Sequence, residues 1–223
     1  NQPIQVGYNP SVSGLNLNYN RVYFEWKRQS GQYRITMDAR SERVRPQISC
    51  ATMSISRRGA PTYGYEHRGG VERWSVAQAA LGNGGGRWLP VRDPATYGAE
   101  VFQVLAHAQG ITLPTARGAN RVPAGTVLAR LQSADLRTIQ VSMLRYSTNL
   151  TAEVLGMSAT KAAGGQASSL RASAQAMGRW VVQQSRQSRP NLFNHSGLTD
   201  RSRITAQEMV LLLAKQKSRR GLA

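Results

Sequence analysis

An α+β fold is the architecture this sequence predicts, on three observations. Up to about Leu89 the chain shows strand-length alternation punctuated by turn residues. From Ser133 onward its apolar positions recur at helical spacing. No regular alternation of strand and helix connects the two stretches, which argues against a doubly wound parallel sheet.

Each element has its own warrant. Arg21 to Lys27 and Tyr33 to Asp38 flank Ser30-Gly31 and read as a β-hairpin. Ile48 to Ile55 alternates like a strand, and Val71 to Ala77 supplies another. Gly82-Asn83-Gly84-Gly85-Gly86 reads as a flexible connector; as a phosphate-binding loop it lacks the Lys-Ser/Thr ending and a helix directly behind it. Asp93-Pro94 predicts an N-cap with proline at the first helical position. That helix runs through Tyr97, Val101, Val104, Leu105 and Ala108 to a stop at Gly110. Arg117 to Gly125 is a loop, and Val127 to Leu131 is a short strand. Leu136, Ile139, Met143 and Leu144 mark a helix ending near Tyr146, and Leu150, Val154 and Met157 a second that frays at Gly164-Gly165. Leu170, Ala174, Met177 and Val181 form a third stripe. Thr205 and Glu208 make a capping box before the last helix, whose stripe is Met209, Leu212 and Leu213.

Composition narrows the function classes. With 223 residues, 40% hydrophobic and 18% charged, the chain is long and apolar enough to bury a core in one large domain or two small ones. No apolar run approaches the roughly 18–20 residues of a transmembrane segment. The single cysteine, Cys50, excludes an internal disulfide and a cysteine-zinc cluster, and its strand-like surroundings predict a buried small hydrophobe. A net charge of +18 suits a polyanionic partner, whether nucleic acid, lipid headgroups or a carboxylate-rich wall polymer. The arginines are scattered from Arg21 to Arg220, and the densest basic runs are only Arg57-Arg58 and Lys215 to Arg220, so nucleic acid is not the expected partner.

The chemistry-bearing candidate is Ser147-Thr148-Asn149, between two helical patterns. Ser-x-Asn is the second of three motifs of serine β-lactamases and penicillin-binding proteins, after Ser-x-x-Lys and before Lys-Thr-Gly. Two readings stand side by side. Ser147 and Asn149 can cap the following helix, or the turn can project both into a cleft where the hydroxyl relays a proton and the carboxamide binds substrate. Ser158-Ala159-Thr160-Lys161 matches Ser-x-x-Lys, but it follows Ser-x-Asn and lies roughly 15 Å along the helix from it, so it reads as a chance match. His67, His107 and His195 have no metal-ligand spacing, and no metal or cofactor is expected. Asn194-His195-Ser196-Gly197 reads as a tight turn, not a Ser–His pair. Glu100, Glu153 and Glu208 read as solvated helix positions or caps.

Longer segments carry a resemblance. Asn9 to Asn20, Asp93-Pro94-Ala95-Thr96-Tyr97, Leu144 to Glu153 and His195-Ser196-Gly197-Leu198-Thr199 occur in an order that resembles the D-alanyl-D-alanine carboxypeptidase/endopeptidase family, the class C low-molecular-mass penicillin-binding proteins. The resemblance spans nearly the whole chain. It implies that residues 1–130 are the later part of inserted accessory domains, β-rich to about residue 89 and then helix and strand, and that 131–223 are the helical part of the penicillin-binding domain. It further implies a periplasmic serine peptidase that cleaves the terminal D-Ala-D-Ala bond of peptidoglycan stem peptides through an acyl-serine and binds β-lactam antibiotics.

By the same resemblance, Ser147 passes a proton toward the departing amine. Asn149 hydrogen-bonds the substrate backbone and the motif-one lysine. Ser196, Gly197 and Leu198 form a structural turn, with Asn194-His195 standing where the family commonly has Asp-Gly. No Ser-x-x-Lys precedes Ser147 and no Lys-Thr-Gly follows it. The expectation is therefore an internal fragment of a longer enzyme, inactive alone. The alternatives are a non-catalytic peptidoglycan-binding relative and a basic nucleic-acid-binding protein.

Overall fold

In strand β1 (Arg21–Gln29), Val22 and Phe24 are fully buried while Arg21, Tyr23 and Glu25 between them are only partly so. This period of two is what a half-buried strand requires. The computed structural model that shows it describes residues 2–116, 125–184 and 189–220. The chain divides into two compact units, Gln2–Ser133 and Ala134–Ala223 with Asn1. The α+β class predicted from the sequence is the class observed.

In the first unit β1 pairs with β2 (Gln32–Asp38) in an antiparallel hairpin, closed by Ser30 and Gly31 at φ 47° and 79°. Positive φ at both loop positions is the geometry a two-residue hairpin favours. Next come β3 (Ala51–Ser56), β4 (Tyr63–Arg68), β5 (Val71–Ala77) and β6 (Gly84–Pro90). One sheet has the order β2-β1-β6; the other has β3-β5-β4, with β3 parallel to β5 and β4 antiparallel to it. Strand β4 is not among the predicted elements, because its Gly64, Glu66 and His67 carry little apolar signal.

The glycine-rich segment corrects the sequence reading. Gly84, Gly85 and Gly86 are paired residues of β6, opposite Lys27, Trp26 and Glu25. A Cβ at Gly85 would press on the Trp26 ring, and one at Gly86 would overlap the Tyr23 hydroxyl. Glycine is there so that aromatic side chains can lie across the strand.

Helix α1 (Pro94–His107) begins as predicted. Asp93 accepts hydrogen bonds from Thr96 N at 3.2 Å and Thr96 Oγ1 at 2.7 Å, and the chain turns at Gly110 (φ 77°). Tyr97 and Val101 enter a core shared with Val22, Phe24, Trp74, Val76 and Leu89. Two carboxylates lock this core's edges. Glu100 is not a solvated helix residue: it accepts Ser49 N, Ser49 Oγ and Cys50 N at 2.5–2.8 Å, tying α1 to the start of β3. Buried Glu72 accepts the backbone N–H groups of Arg92 and Asp93 at 2.9 Å where β6 leads into α1, and its burial raises its pKa. Cys50 is buried as expected, which pushes its thiol pKa up.

Residues Val127–Leu131 form no strand. Leu128 and Leu131 are 95% and 98% exposed, and a short apolar run without a neighbouring strand has no ladder to join. The predicted Arg117–Gly125 loop lies largely outside the described residues.

Among its described residues the second unit holds four helices: α2 (Leu136–Tyr146), α3 (Asn149–Ala162), α4 (Leu170–Gln184) and α5 (Ala206–Arg220). Asp135 caps α2 by accepting from Thr138 N and Oγ1. The capping box of α5 forms as predicted, with Thr205 N donating to Glu208 and Glu208 N donating to Thr205 Oγ1 at 3.1 Å.

Candidate active site

The α2–α3 turn is set by backbone strain at one residue. Ser147 closes α2 with φ 51° and ψ 49°, in the left-handed region, and its N–H donates to Met143 O. Helices commonly end on such a residue, but it is usually glycine, because a Cβ there costs roughly 1–2 kcal/mol. Ser147 is exposed. Thr148 is the N-cap of α3 and makes no side-chain cap hydrogen bond. Asn149 is half-buried and is the first residue of α3. Ser147 is thus the C-cap residue of the preceding helix, and the N-cap position falls to Thr148.

One helical turn beyond Asn149, Glu153 lies on the same side of α3 and is 5% exposed. Its Oε1 accepts Ser196 Oγ at 2.6 Å and Ser196 N at 3.1 Å, while its Oε2 accepts His195 N at 3.0 Å. The expectation of a solvated Glu153 is therefore corrected: three donors converge on a buried carboxylate. Within the turn Asn194 Oδ1 accepts Gly197 N at 3.1 Å, and Gly197 takes φ 75°. An asparagine side chain here supplies the acceptor for the turn, so Asn194 closes it without an acidic residue.

These residues bring together two distant segments, Leu144 to Glu153 and Asn194 to Leu198, both inside the helical unit. Comparison with known proteins gives the family of the chain. The sequence model of the D-Ala-D-Ala carboxypeptidase 3 (S13) family matches residues 2–222. This chain belongs to that family. Its fold is similar to that of penicillin-binding protein 4 from Haemophilus influenzae solved with a bound β-lactam, with TM-score 0.74 and 18% identity over 100% of this chain and 52% of that one. A second structure of that protein gives TM-score 0.70 and 18% identity over 96% and 48%. The chain therefore spans about half the length of the solved structures it matches. No curated protein matches it significantly.

In this S13 chain the remaining candidates separate clearly. Ser158 and Lys161 are both exposed toward the far end of α3, which gives no support to a nucleophile there. His195 does not pair with adjacent Ser196. Its Nε2 lies 2.8 Å from Ser173 Oγ on α4, and Ser173 is also 2.7 Å from Thr160 Oγ1 on α3. Ser173 is fully buried, so this is a core hydrogen bond and not an accessible nucleophile. The His195 ring packs where a Cβ on Gly156 would stand, and burial lowers its pKa. Sequence reasoning did not single out Ser173; a lone serine inside an apolar stripe gives no signal of its own. Among the described residues no group of His, Cys, Asp or Glu could hold a metal ion, and no helix is long and apolar enough to cross a membrane.

Along α2 runs a shallow groove of about 330 Å³ lined by Arg137, Thr138, Val141, Ser142, Arg145 and Tyr146, ending next to Ser147. Leu136, Val141, Leu144 and Tyr146 on this helix are 58–76% exposed, and none of its residues is buried.

Proposed function

We propose that this chain is part of a periplasmic serine-type D-Ala-D-Ala carboxypeptidase/endopeptidase acting on peptidoglycan stem peptides. The reaction forms an ester between an enzyme serine and the penultimate D-Ala carbonyl, expels the terminal amine, and releases the ester by water. Ser147 and Asn149 are its second motif. The observation that carries this reading is Ser147 held exposed at positive φ, where a glycine would be easier, in a chain of the S13 family. Strain kept at one residue is a reason to look for function there.

In this reading the proton that the attacking serine hydroxyl loses is relayed through Ser147 Oγ to the departing amine nitrogen, which leaves as a neutral amine. The Asn149 carboxamide donates to the substrate carbonyl and accepts from the motif-one lysine. Neither Ser-x-x-Lys ahead of Ser147 nor Lys-Thr-Gly occurs in these residues, so the nucleophile and the strand completing the oxyanion hole belong to other parts of the enzyme. Residues 1–130 are then accessory insertion and 131–223 the helical part of the penicillin-binding domain. The exposed apolar side of α2 supports this, since it offers a surface for the rest of that domain. The excess of arginine suits an acidic wall polymer.

The test is D-Ala release by the full-length protein from a peptide ending in D-Ala-D-Ala, with Ser147→Ala and Asn149→Ala alongside. Each substitution is expected to lower kcat/KM by about 10²–10⁴-fold, the usual range for a lost proton-transfer group or oriented donor. Wild-type turnover with unchanged variants would remove the motif from the mechanism. Binding of peptidoglycan without release or acylation would establish a non-catalytic relative instead.

A further inference from the structure

The first unit carries an arginine cleft that the peptidase reading leaves unused. It is an open cleft of about 480 Å³ whose lining includes Arg28, Tyr33, Arg57, Arg58, Gln78 and Asn83, with no carboxylate among the lining residues. Two features show that it is built. Arg58 is seated by three hydrogen bonds: Nε to Pro61 O at 2.7 Å, one terminal nitrogen to Ser75 Oγ at 2.8 Å and the other to Ser75 O at 3.1 Å. A Cβ on Gly64 would crowd both Ser75 Oγ and the Arg58 guanidinium, so glycine at that position keeps the seat open. Opposite, Arg28 lies over the Tyr33 ring, and the Tyr33 hydroxyl donates to Gly82 O at 2.7 Å.

Of the seven carboxylates of this unit five are committed elsewhere, and the other two, Glu42 and Glu66, do not line the cleft. Glu25 and Asp38 pair with Arg40, Glu72 and Asp93 accept backbone N–H groups, and Glu100 holds Ser49 and Cys50. Arg28 and Arg57 are exposed and form no ion pair among the described residues. Guanidinium forks favour planar oxyanions, which they bind in pairs of parallel hydrogen bonds. Among the described residues Tyr33 is the one aromatic residue in the cleft's lining, and a single ring offers no run of stacking platforms for successive nucleic-acid bases.

We propose that this cleft is an oxyanion-binding site for the carboxylates of an acidic peptide. The oxyanion chemistry stands on the cleft alone; the peptide as its source rests on the proposed function, in which the substrate is an acidic wall polymer.

The experiment titrates the full-length protein with poly-D-glutamate and, separately, with polyphosphate of matched charge and with single-stranded DNA, at 0.15 M salt. The Arg28→Gln/Arg57→Gln variant is compared with Arg34→Gln/Arg73→Gln, which removes the same charge outside the cleft. Poly-D-glutamate binding is expected to weaken about tenfold or more in the cleft variant and little in the control, as loss of charge-assisted hydrogen bonds implies. Equal weakening in both variants, or no binding, would overturn the site, because net charge alone would then explain any affinity. Cleft-dependent preference for polyphosphate or for DNA would overturn the peptide as source. D-Ala release from a short neutral peptide should be unchanged in the cleft variant, so failure here is distinguishable from failure of the peptidase reading.

Discussion

Residues 2–133 bury a continuous apolar core around Phe24 and Trp74, whereas the helical unit from residue 134 buries a hydrogen-bonded polar cluster around Glu153 and Ser173. In the first, carboxylates stand at the edges and clamp backbone ends: Glu72 at the β6–α1 junction, Glu100 at the start of β3. In the second, Leu150, Ala174 and Val181 are the buried apolar side chains among the described residues, while Glu153, Thr160 and Ser173 are buried with them. Large apolar residues such as Leu144, Val210 and Leu213 stay outside. The difference is one of what specifies the fold. Apolar burial is non-directional and tolerant of repacking, while a buried polar cluster is satisfied by one geometry and penalises every other. The proposed roles of Ser147 and Asn149 call for a defined orientation, which the second kind of burial favours.

The contrast can be broken experimentally. The largest effect is expected in the apolar core, where Phe24→Ala should destabilise the first unit by about 3–5 kcal/mol in denaturant unfolding. Amide exchange should report this loss in β1 to β6 and leave α3 and α4 protected; simultaneous loss in both units would show that they are not independent.

Glu153→Ala should cost somewhat less, about 2–3 kcal/mol, because Ser196 Oγ and two backbone N–H groups lose a charged acceptor. Exchange at the His195 and Ser196 amides should accelerate first, and Glu153→Gln should restore part of the protection. Unchanged exchange there would reduce Glu153 to a bystander.

Ser147→Gly is expected to work in the opposite direction, stabilising the helical unit by about 1 kcal/mol through relief of the left-handed strain. It should also lower D-Ala release if the hydroxyl relays a proton. A variant that is stabler and equally active would separate the strain from function.

The smallest effect concerns pH. Burial holds the His195 pKa below its ordinary value, with the Glu153 charge opposing. The unfolded chain therefore binds this proton more readily, so stability is full above the ordinary histidine value of about 6.5 and falls as the pH drops through and below it. Thermal unfolding of the helical unit between neutral and mildly acidic pH should show this slope, and His195→Gln should flatten it.

Local signals were legible where the physical cause is local. The Ser30-Gly31 turn, the Asp93-Pro94 cap, the Thr205–Glu208 box and the four helical stripes all depend on neighbours within a few residues, and each formed near its expected position. Gly84 to Gly86 misled because their reason is a contact across the sheet, with Trp26 and Tyr23. Val127 to Leu131 misled in the other direction, having strand composition and no partner strand.

For the candidate site, the sequence by itself determined the Ser147-Thr148-Asn149 motif and its place between two helices. It also determined the family, through segments spread along the chain. Tertiary structure alone decided that Ser147 sits at positive φ as a helix C-cap and that Glu153 is buried under the Asn194–Gly197 turn. It alone decided that His195 answers to Ser173 instead of Ser196. The physical reason is range: helix periodicity and capping are written within a turn or two of chain, whereas burial of a carboxylate and the choice of its donors depend on residues some forty positions away.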